Sequence, residues 1–383
     1  MLKLATVAAG AGALGYLLAK QQHGSTGAKR CPFGGTVSNV ADSPAAGSAS
    51  GSEEVIASTY FELIGNTPLV DITAVAAAGT HPGVRLYAKA EFLNPGLSTK
   101  DRIMRNIFEK AEADGRLKPG MTIVAASSGN TGAATAMLAA MKGYQAVIIT
   151  NAKCSAEKCA SITAYGARLI ITPTGVDYME EEYKMARENP DWFSVDQYNN
   201  AANPEAHYQS TGPEIWAQTG GKVTHFVAAG STGGTITGVG KYLKEQNPAV
   251  QIVMSDPNGS VFYNFWKTLK ATGTGVLDKP GKFLVEGVGK NNIPGAMDFG
   301  VVDDMIQVSD KDSFTMCKRL AEAEGILAGG SSGLNVAASV QLAASLTGPA
   351  VVVTTMPDLG VKYLSKVYNS KWLADNNVAP SNL

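Results

Sequence analysis

The stretch HFVAAGSTGGTITGVGKYLKE, His225–Glu245, shows the pattern that decides the fold. A short apolar run leads into the turn Gly230–Thr235 (GSTGGT), and a helical pattern follows at once. Glycines allow positive φ and close backbone approach, and the free N–H groups at a helix start attract anions. The turn is not a nucleotide-binding P-loop, because no Gly-Lys-Ser/Thr follows. By itself it fits either a phosphate site or a structural glycine turn.

The same alternation of apolar strands and helical patterns continues along the chain. Strand-like runs are found at Thr122–Ala126, Ala146–Thr150, Arg168–Thr172, Gln251–Asp256 and Ala350–Thr355. Short apolar strands between helices are typical of parallel sheets that are covered on both faces. We therefore predict an α/β protein with mostly parallel sheets, whose ligands lie at the carboxyl ends of strands.

Three more turns, rich in Gly, Ser, Thr or Asn, precede helical patterns. The turn Asn94–Arg102 carries Lys100 where a helix begins. An ammonium group there faces the positive end of the helix, which costs about 0.3–1 kcal/mol. A neutral imine removes that cost, so the position suits a lysine that forms a Schiff base. The plain alternative is an exposed lysine at a loose helix start.

The other two turns have polar side chains in surplus. Four hydroxyl or amide side chains crowd Ser127–Gly132, where one would suffice as a helix cap. The surplus indicates a nest that binds a carboxylate, and a solvated polar cap is the alternative. In Gly329–Gly333, the plain alternative is a helix with Ser331 or Ser332 as its N-cap.

Together, in order and spacing, the four turns resemble the β-family (fold type II) of pyridoxal-phosphate (PLP) enzymes. The resemblance runs from Ile64 to Pro357 and is closest to the branch of cysteine synthases and cystathionine β-synthases. The family's Lys-x-Glu, Asn-Pro-Gly and Ser-x-Lys-Asp-Arg pattern is seen in Lys89–Arg102, its Ser-Gly-Asn-Thr-Gly loop in Ser128–Gly132 and its Thr-Gly-Gly-Thr loop in Thr232–Thr235. The resemblance implies a tryptophan synthase β-like fold of two three-layer domains.

The resemblance also implies PLP as the cofactor and a role for each site residue. Lys100 would hold PLP and act as the catalytic base. The residues implied to bind PLP are Lys100, Asn130, Ser231, Thr232, Gly233, Gly234, Thr235 and Ser331. Asn130 would meet the ring oxygen, the loop Ser231–Thr235 the phosphate, and Ser331 the pyridine nitrogen. The residues implied to bind the substrate are Ser127, Ser128, Thr131, Gln197 and Gly287.

The implied reaction is a β-replacement. O-acetylserine or serine would lose its β-substituent, and sulfide or a thiol would take its place, giving cysteine. The segments Glu286-Gly287 and Glu324–Ser331 also look like cystathionine β-synthase, so serine with homocysteine is the alternative. A protein that kept the fold as a binding or sensor module is the alternative outside enzymes.

The chain departs from the family pattern at four places, one of which is Ser127 in place of the usual Thr. Leu97 stands where many members have Gly or Cys, and Ser231 replaces the first glycine of the phosphate loop. Lys290–Asn292 replaces a stretch that is small and aromatic in relatives and faces the incoming nucleophile. Lys290 would place positive charge near the entry path, which favours an anionic nucleophile. A lysine that points to solvent is the plain alternative.

The N-terminal part differs from the rest. Leu4–Ala19 is continuously apolar and flanked by Lys3 and Lys20; it is shorter than the roughly 20 residues of a spanning helix. We interpret residues 1–20 as a membrane anchor or a targeting segment, with a mitochondrial location expected and a cytoplasmic one as the alternative. Residues 21–54 have the composition of a flexible linker. We predict two catalytic domains, at residues 55–200 and 201–383, with the first strands of the N-terminal domain able to cross over to the C-terminal one.

Composition limits the other function classes. The 383 residues carry a net charge of -1, so no basic excess suggests nucleic acid. The 4 cysteines form no C-x-x-C pair and the 4 histidines are scattered, so we expect no metal site. Cys31-Pro32 is similar to haem-regulatory pairs, but we do not predict haem from it. Amino-acid and thiol or sulfide substrates are the expected partners, and the enzyme is expected to be a homodimer.

Overall fold

The computed structural model describes residues 57–127, 129–151, 154–173 and 175–380. The predicted anchor or targeting segment 1–20, the linker 21–54 with Cys31, and Ser128 lie outside the described residues. Within them, no helix is long and apolar enough to cross a membrane.

Ten strands and eleven α-helices alternate through the described residues. The strands are β1 Leu69–Asp71, β2 Val84–Ala90, β3 Thr122–Ala126, β4 Gln145–Asn151, β5 Arg168–Thr172, β6 Trp192–Ser194, β7 His225–Ala229, β8 Gln251–Pro257, β9 Asp304–Val308 and β10 Ala350–Met356. The helices are α1 Lys100–Ala113, α2 Asn130–Lys142, α3 Ala156–Ala164, α4 Tyr178–Glu188, α5 Ala202–Ala206, α6 Gly212–Gln218, α7 Gly234–Gln246, α8 Phe262–Thr272, α9 Asp310–Glu324, α10 Gly330–Ser345 and α11 Ser370–Asp375.

The strands form two sheets. The larger has the order β1-β2-β10-β7-β8-β9, and the smaller has the order β5-β4-β3-β6. All neighbours run parallel except β1 and β2, which are antiparallel. The prediction of an α/β fold with mostly parallel sheets is therefore confirmed. The strands β1 and β2 join the larger sheet, whereas β3–β6 make the smaller one; the domain boundaries at 54/55 and 200/201 stay predictions.

Each sheet is covered by helices on both faces, as its apolar strands require. Successive residues of a strand point to opposite faces. Val352 of β10 accordingly packs in one core cluster and Val353 in another. In β3, Ile123 and Val124 divide in the same way. Each sheet thus forms the middle of three layers.

The carboxyl ends of β3 and β7 lead directly to turns that the sequence singled out, and the residues after β10 contact a third such turn, the one before α1. Strand β3 ends at Ala126, β7 at Ala229 and β10 at Met356. After β10, Pro357 O accepts a hydrogen bond of 2.9 Å from Thr99 N–H, and Asp358 bridges to Ser98. These contacts attach the start of α1 to the end of the central strand.

Candidate active site

Lys100 is the first residue of α1, as predicted, and lies at the floor of a cleft. Burial lowers the pKa of its amine, although the negative charges of Asp358 and Glu91 oppose that shift. Its Nζ atom makes no hydrogen bond or ion pair with any part of the chain that the structure describes. An amine with a lowered pKa and no partner is suited to covalent and base chemistry.

The turn before Lys100 is fixed by a buried carboxylate. Gly96 N–H donates to Asp101 Oδ2 at 2.5 Å, and a Cβ on Gly96 would lie 2.4 Å from Asp101 Oδ1. Burial raises the pKa of Asp101 to about 7. Leu97, between them, has a φ of 59°, a conformation that glycine adopts without strain. Leucine at this position therefore holds a backbone conformation that favours glycine.

An ion-pair network lies beneath the first turn of α1. Arg102 contacts Glu91 and Glu214, each at 2.7 Å, and Lys89 contacts Glu214 at 2.6 Å. Burial alone would raise the pKa of Glu91, but the Arg102 charge lowers it to about 2. The network ties α1 to β2 and α6, so the backbone that carries Lys100 is firmly held.

The loop between β3 and α2 is organised by its side chains. Ser127 Oγ accepts a 3.1 Å bond from Gly129 N–H, and Thr131 Oγ1 donates to Gln197 Oε1 at 2.6 Å. Gln197 Nε2 in turn donates to Ala126 O at 3.0 Å. All three side chains are buried. The structure therefore brings Ser127, Thr131 and Gln197 together, as a carboxylate site would require.

Asn130, the first residue of α2, is held between two charged residues. Its Nδ2 donates to Asp358 Oδ2 at 2.8 Å, while its Oδ1 accepts from Lys362 Nζ at 2.9 Å. The Tyr363 hydroxyl donates to the same Asp358 oxygen at 2.5 Å. The orientation of the Asn130 amide is thus set by residues that follow β10.

The loop between β7 and α7 is organised by its backbone. Gly233 has a φ of 90°, and a Cβ there would lie 2.6 Å from Met297 Cα. A Cβ on Gly234 would lie 1.8 Å from Asn203 Oδ1. Ser231 has no positive φ, so serine fits where relatives carry glycine. The tight turn exposes the first N–H groups of α7, which have no partner inside the helix.

Two buried side chains support this loop from behind. Asn203 Nδ2 donates to Thr232 Oγ1 at 2.9 Å, and His207 Nε2 lies 3.1 Å from Thr235 Oγ1. Burial lowers the pKa of His207 to about 3, so the imidazole is neutral. The two hydroxyl groups are therefore fixed in place by neutral partners.

Ser331 lies in the first turn of α10. The N-cap of that helix is Gly329, which caps it without a side-chain bond; the alternative that Ser331 or Ser332 caps the helix is wrong, because both lie inside it. Ser331 Oγ has no hydrogen-bond partner among the described residues. It is free for a ligand in the cleft.

The predicted site residues meet around Lys100. Two adjoining cavities share Lys100, Ser231, Thr232, Gly287 and Ser331. Every other predicted site residue that the structure describes lines one of the two: Ser127, Asn130, Thr131, Gln197, Gly233, Gly234 and Thr235. Ser128 lies outside the described residues, so its role stays a prediction. The roles of the other residues, as distinct from their positions, also stay predictions.

The residues fit the cofactor that the sequence resemblance implies. The loop Ser231–Thr235 offers backbone donors and hydroxyl groups for a phosphate, and its glycines pack too closely against Met297 and Asn203 for a Cβ to fit. Lys100 supplies a buried amine, and the free Ser331 hydroxyl lines the same cavity. These residues would hold the phosphate, the aldehyde carbon and the pyridine ring of PLP.

Several cleft residues were missed from the sequence. Asp358 and Tyr363 follow β10, and the rule that ligands lie at carboxyl ends of strands could have pointed to them. Lys158 lies in the first turn of α3 and pairs with Glu286 at 2.5 Å. Tyr198, next to Gln197, lines the cavity too. No local pattern marks Lys158 or Tyr198, because their partners are distant in the sequence.

Comparison with known proteins agrees with this geometry. The family model described as "Pyridoxal-phosphate dependent enzyme" matches residues 60–358. Cystathionine β-synthase from Apis mellifera is 38% identical over 318 residues, which cover 81% of this chain and 61% of the relative. The chain thus spans less than two thirds of that relative's length. Cysteine synthase from Staphylococcus aureus is 39% identical over 308 residues, 79% of this chain and 94% of the relative.

Solved structures lead to the same conclusion. The crystal structure of O-ureido-L-serine synthase is 32% identical, with a TM-score of 0.73, and the match covers 84% of this chain and 100% of that one. A hydrogen sulfide-producing enzyme from Fusobacterium nucleatum is also 32% identical, with a TM-score of 0.72, covering 81% and 100%. The chain therefore belongs to the family of pyridoxal-phosphate dependent enzymes, in the branch of cysteine synthases and cystathionine β-synthases.

Proposed function

We propose that the protein catalyses β-replacement on O-acetylserine or serine, with sulfide or a thiol as the nucleophile, and that sulfide yields cysteine. The observation that carries the proposal is the position of Lys100. Its amine lines both cavities, between a loop of side chains suited to a carboxylate and a backbone turn suited to a phosphate. The relatives named cysteine synthase support the same reaction class.

The chain's own residues would share the work between them. When bound, PLP supplies an electron-withdrawing ring that stabilises negative charge at the substrate Cα. Ser127, Thr131 and Gln197 would orient the amino acid through its carboxylate, and the Ser231–Thr235 loop would hold the phosphate. Lys100 Nζ would remove the Cα proton, because Lys100 lines both cavities and burial lowers the pKa of its amine.

Ser331 would influence the fate of the substrate once the Cα proton is removed. A neutral hydroxyl beside the pyridine nitrogen adds no negative charge that would keep that nitrogen protonated, as a carboxylate would. Negative charge then accumulates less on the ring, which favours loss of the β-substituent over transamination. Glu286, paired with Lys158 at 2.5 Å and with Lys366 at 2.6 Å, would hold the loop that carries Gly287 against the cleft.

Product analysis tests the proposal. The purified chain, loaded with PLP, is supplied with serine or O-acetylserine together with sulfide, homocysteine or cyanide, and each product is identified by mass. Cysteine from sulfide is the expected result. Failure of every donor and nucleophile pair, with PLP bound, would contradict the proposal and favour the binding or sensor module.

The second candidate is cystathionine β-synthase activity, from serine and homocysteine. Relatives of that name, such as the Rattus norvegicus protein at 40% identity over 318 residues, support it. The match covers 55% of that relative, so its whole activity does not transfer directly. The same assay decides, since cystathionine and cysteine differ in mass.

Location and assembly extend the proposal. The apolar run Leu4–Ala19 between Lys3 and Lys20 supports attachment to a mitochondrial membrane. Cell fractionation with carbonate extraction and sequencing of the mature N-terminus tests this; a soluble protein that begins beyond Lys20 would contradict the anchor. The family resemblance supports a homodimer, which sedimentation of the purified chain would reveal.

A further inference from the structure

A wide cleft opens outward from the cavities around Lys100. Its volume is about 890 Å³, enough for a second substrate of amino-acid size. It shares Tyr198, Ser231, Glu286 and Gly287 with the cavity that Ser127, Thr131 and Gln197 line, which we call the inner cavity. A nucleophile on its way to the reacting carbon would cross this cleft, so the charged groups on its wall would act on that molecule first.

Lys290 differs from the other lysines of this cleft. The amine of Lys366 is paired with Glu286 at 2.6 Å, and the inner Lys158 pairs with the same carboxylate. Lys290 Nζ has neither a hydrogen bond nor an ion pair with the residues described here. It lies 3.9 Å from the centre of the Tyr198 ring. Burial lowers its pKa to about 8, so most of the amine is charged at neutral pH.

The backbone of Lys290 is firmly fixed, which limits where its side chain reaches. Lys290 O accepts a 3.0 Å bond from Val261 N–H, and its N–H donates to Ser260 Oγ at 3.3 Å. The N–H of the preceding residue, Gly289, donates to Gly230 O at 2.7 Å. Gly230 directly precedes the loop Ser231–Thr235. The Lys290 charge is thus held beside the inner cavity, not on a loose surface loop.

The contact with Tyr198 places the Lys290 amine next to a residue that lines the inner cavity. Tyr198 follows Gln197, and both line the inner cavity with Thr131. The aromatic face attracts the ammonium group and leaves its N–H donors available to a ligand. A molecule whose thiol reaches the inner cavity could therefore place a second, anionic group on Lys290.

We propose that Lys290 binds the carboxylate of the second substrate and thereby favours a thiol that carries a carboxylate over a neutral thiol. The inference rests on the proposed β-replacement and names the class of its nucleophile. Hydrosulfide has a single charged atom, the attacking sulfur, so it has no second anionic group to bind Lys290 while it attacks the reacting carbon. Only a longer thiol acid spans both points, so its recognition alone depends on the amine.

The experiment compares four nucleophiles at a fixed concentration of the amino-acid donor. Homocysteine and 3-mercaptopropionate carry a carboxylate, whereas 2-mercaptoethanol and sulfide do not. For Lys290→Ala we expect the KM of both thiol acids to rise about 10- to 100-fold, the effect of losing a bond between charged groups. The KM values for 2-mercaptoethanol and sulfide should change less than about twofold, which also shows that the variant is folded.

Two matched variants sharpen the result. Lys290→Arg retains the charge and should recover most of the affinity for thiol acids. Lys279→Ala removes an exposed lysine earlier in the same connecting segment and should leave all four KM values unchanged. An equal change for the four nucleophiles in Lys290→Ala, or no change, would overturn the inference. So would a wild-type enzyme that uses sulfide but neither thiol acid, although β-replacement itself would then stand. No turnover with any nucleophile would overturn β-replacement as well.

Discussion

The two loops of the cleft that are suited to binding anions differ in what fixes their conformation. The Ser127–Thr131 loop depends on hydroxyl and amide side chains that bond to one another. The Ser231–Thr235 loop depends on glycines that leave no room for a Cβ. Side-chain donors can be exchanged one at a time, whereas a backbone turn is lost as a whole. The first loop should therefore tune affinity for the substrate, and the second should decide whether PLP binds at all.

Replacing Lys100, whose amine lies between the two loops, should have the largest effect on turnover. In Lys100→Ala both loops stay intact, yet turnover should fall at least about 10³-fold, because the base and the covalent attachment are lost together. Steady-state rates and the PLP absorption spectrum measure both. Lys110→Ala, at the far end of α1 and paired with Glu205, is the control. Near-normal turnover in Lys100→Ala would refute its assignment.

The loop Ser231–Thr235 is tested by adding a single methyl group to one of its glycines. In Gly234→Ala the new Cβ would lie 1.8 Å from Asn203 Oδ1, and such overpacking costs about 1–3 kcal/mol. PLP affinity should fall about 10- to 100-fold, as a fluorescence titration of the apoenzyme would show. Gly348→Ala, with nothing within 4 Å of its Cβ, should bind PLP normally. Unchanged PLP affinity in Gly234→Ala would remove the contrast between the loops.

The loop Ser127–Thr131 is tested by removing one of its side-chain hydroxyl groups. In Thr131→Val, Gln197 Oε1 loses its 2.6 Å donor, and an unpaired buried acceptor costs about 1–3 kcal/mol. The KM for the amino-acid donor should rise about tenfold, with PLP affinity nearly constant. Thr131→Ser keeps the hydroxyl and serves as the control. A loss of PLP affinity as large as that of Gly234→Ala would show that the two loops are not separate in function.

The smallest effect concerns the turn before Lys100, which belongs to neither loop. Leu97 has a φ of 59° and is 39% exposed. Leu97→Ala and Leu97→Gly both lose the buried part of the side chain, but only glycine removes the strain. The relief of about 1–2 kcal/mol exceeds the entropy cost of glycine, so Leu97→Gly should be more stable than Leu97→Ala by about 0.5–1 kcal/mol. Denaturant titration of the two variants measures the free energies of unfolding. At Leu93, which is exposed and has no positive φ, the glycine variant should not be more stable than the alanine variant.

Local patterns were sufficient to predict most of the fold. The bounds of β3 and β5 were predicted as the structure has them, because their apolar runs end at clear turns. Strands β1, β2, β6 and β9 were not identified; β1 and β6 have only 3 residues each. In β2 (VRLYAKA), two charged residues interrupt the apolar run. Arg85 is exposed, and Lys89 is tolerated because it enters a buried ion pair.

The site residues also fall into those that a local pattern identifies and those that depend on tertiary contacts. The four turns were recognised because each carries its chemistry within a few residues. Asp358 and Lys158 were not, since their roles depend on partners far along the chain: Asn130 for Asp358 and Glu286 for Lys158. A single sequence contains no local mark of such pairings. Tertiary contacts were therefore the part of the site that only the structure could supply.

The place of β10 has a consequence for the order in which the protein can assemble. This strand, Ala350–Met356, lies between β2 and β7 in the middle of the larger sheet. A ribosome delivers β2 and β7 long before it, and each then presents an unpaired edge that can join another chain. The nascent protein must wait for its tenth strand before the cleft can form, which makes chaperone protection during synthesis especially valuable.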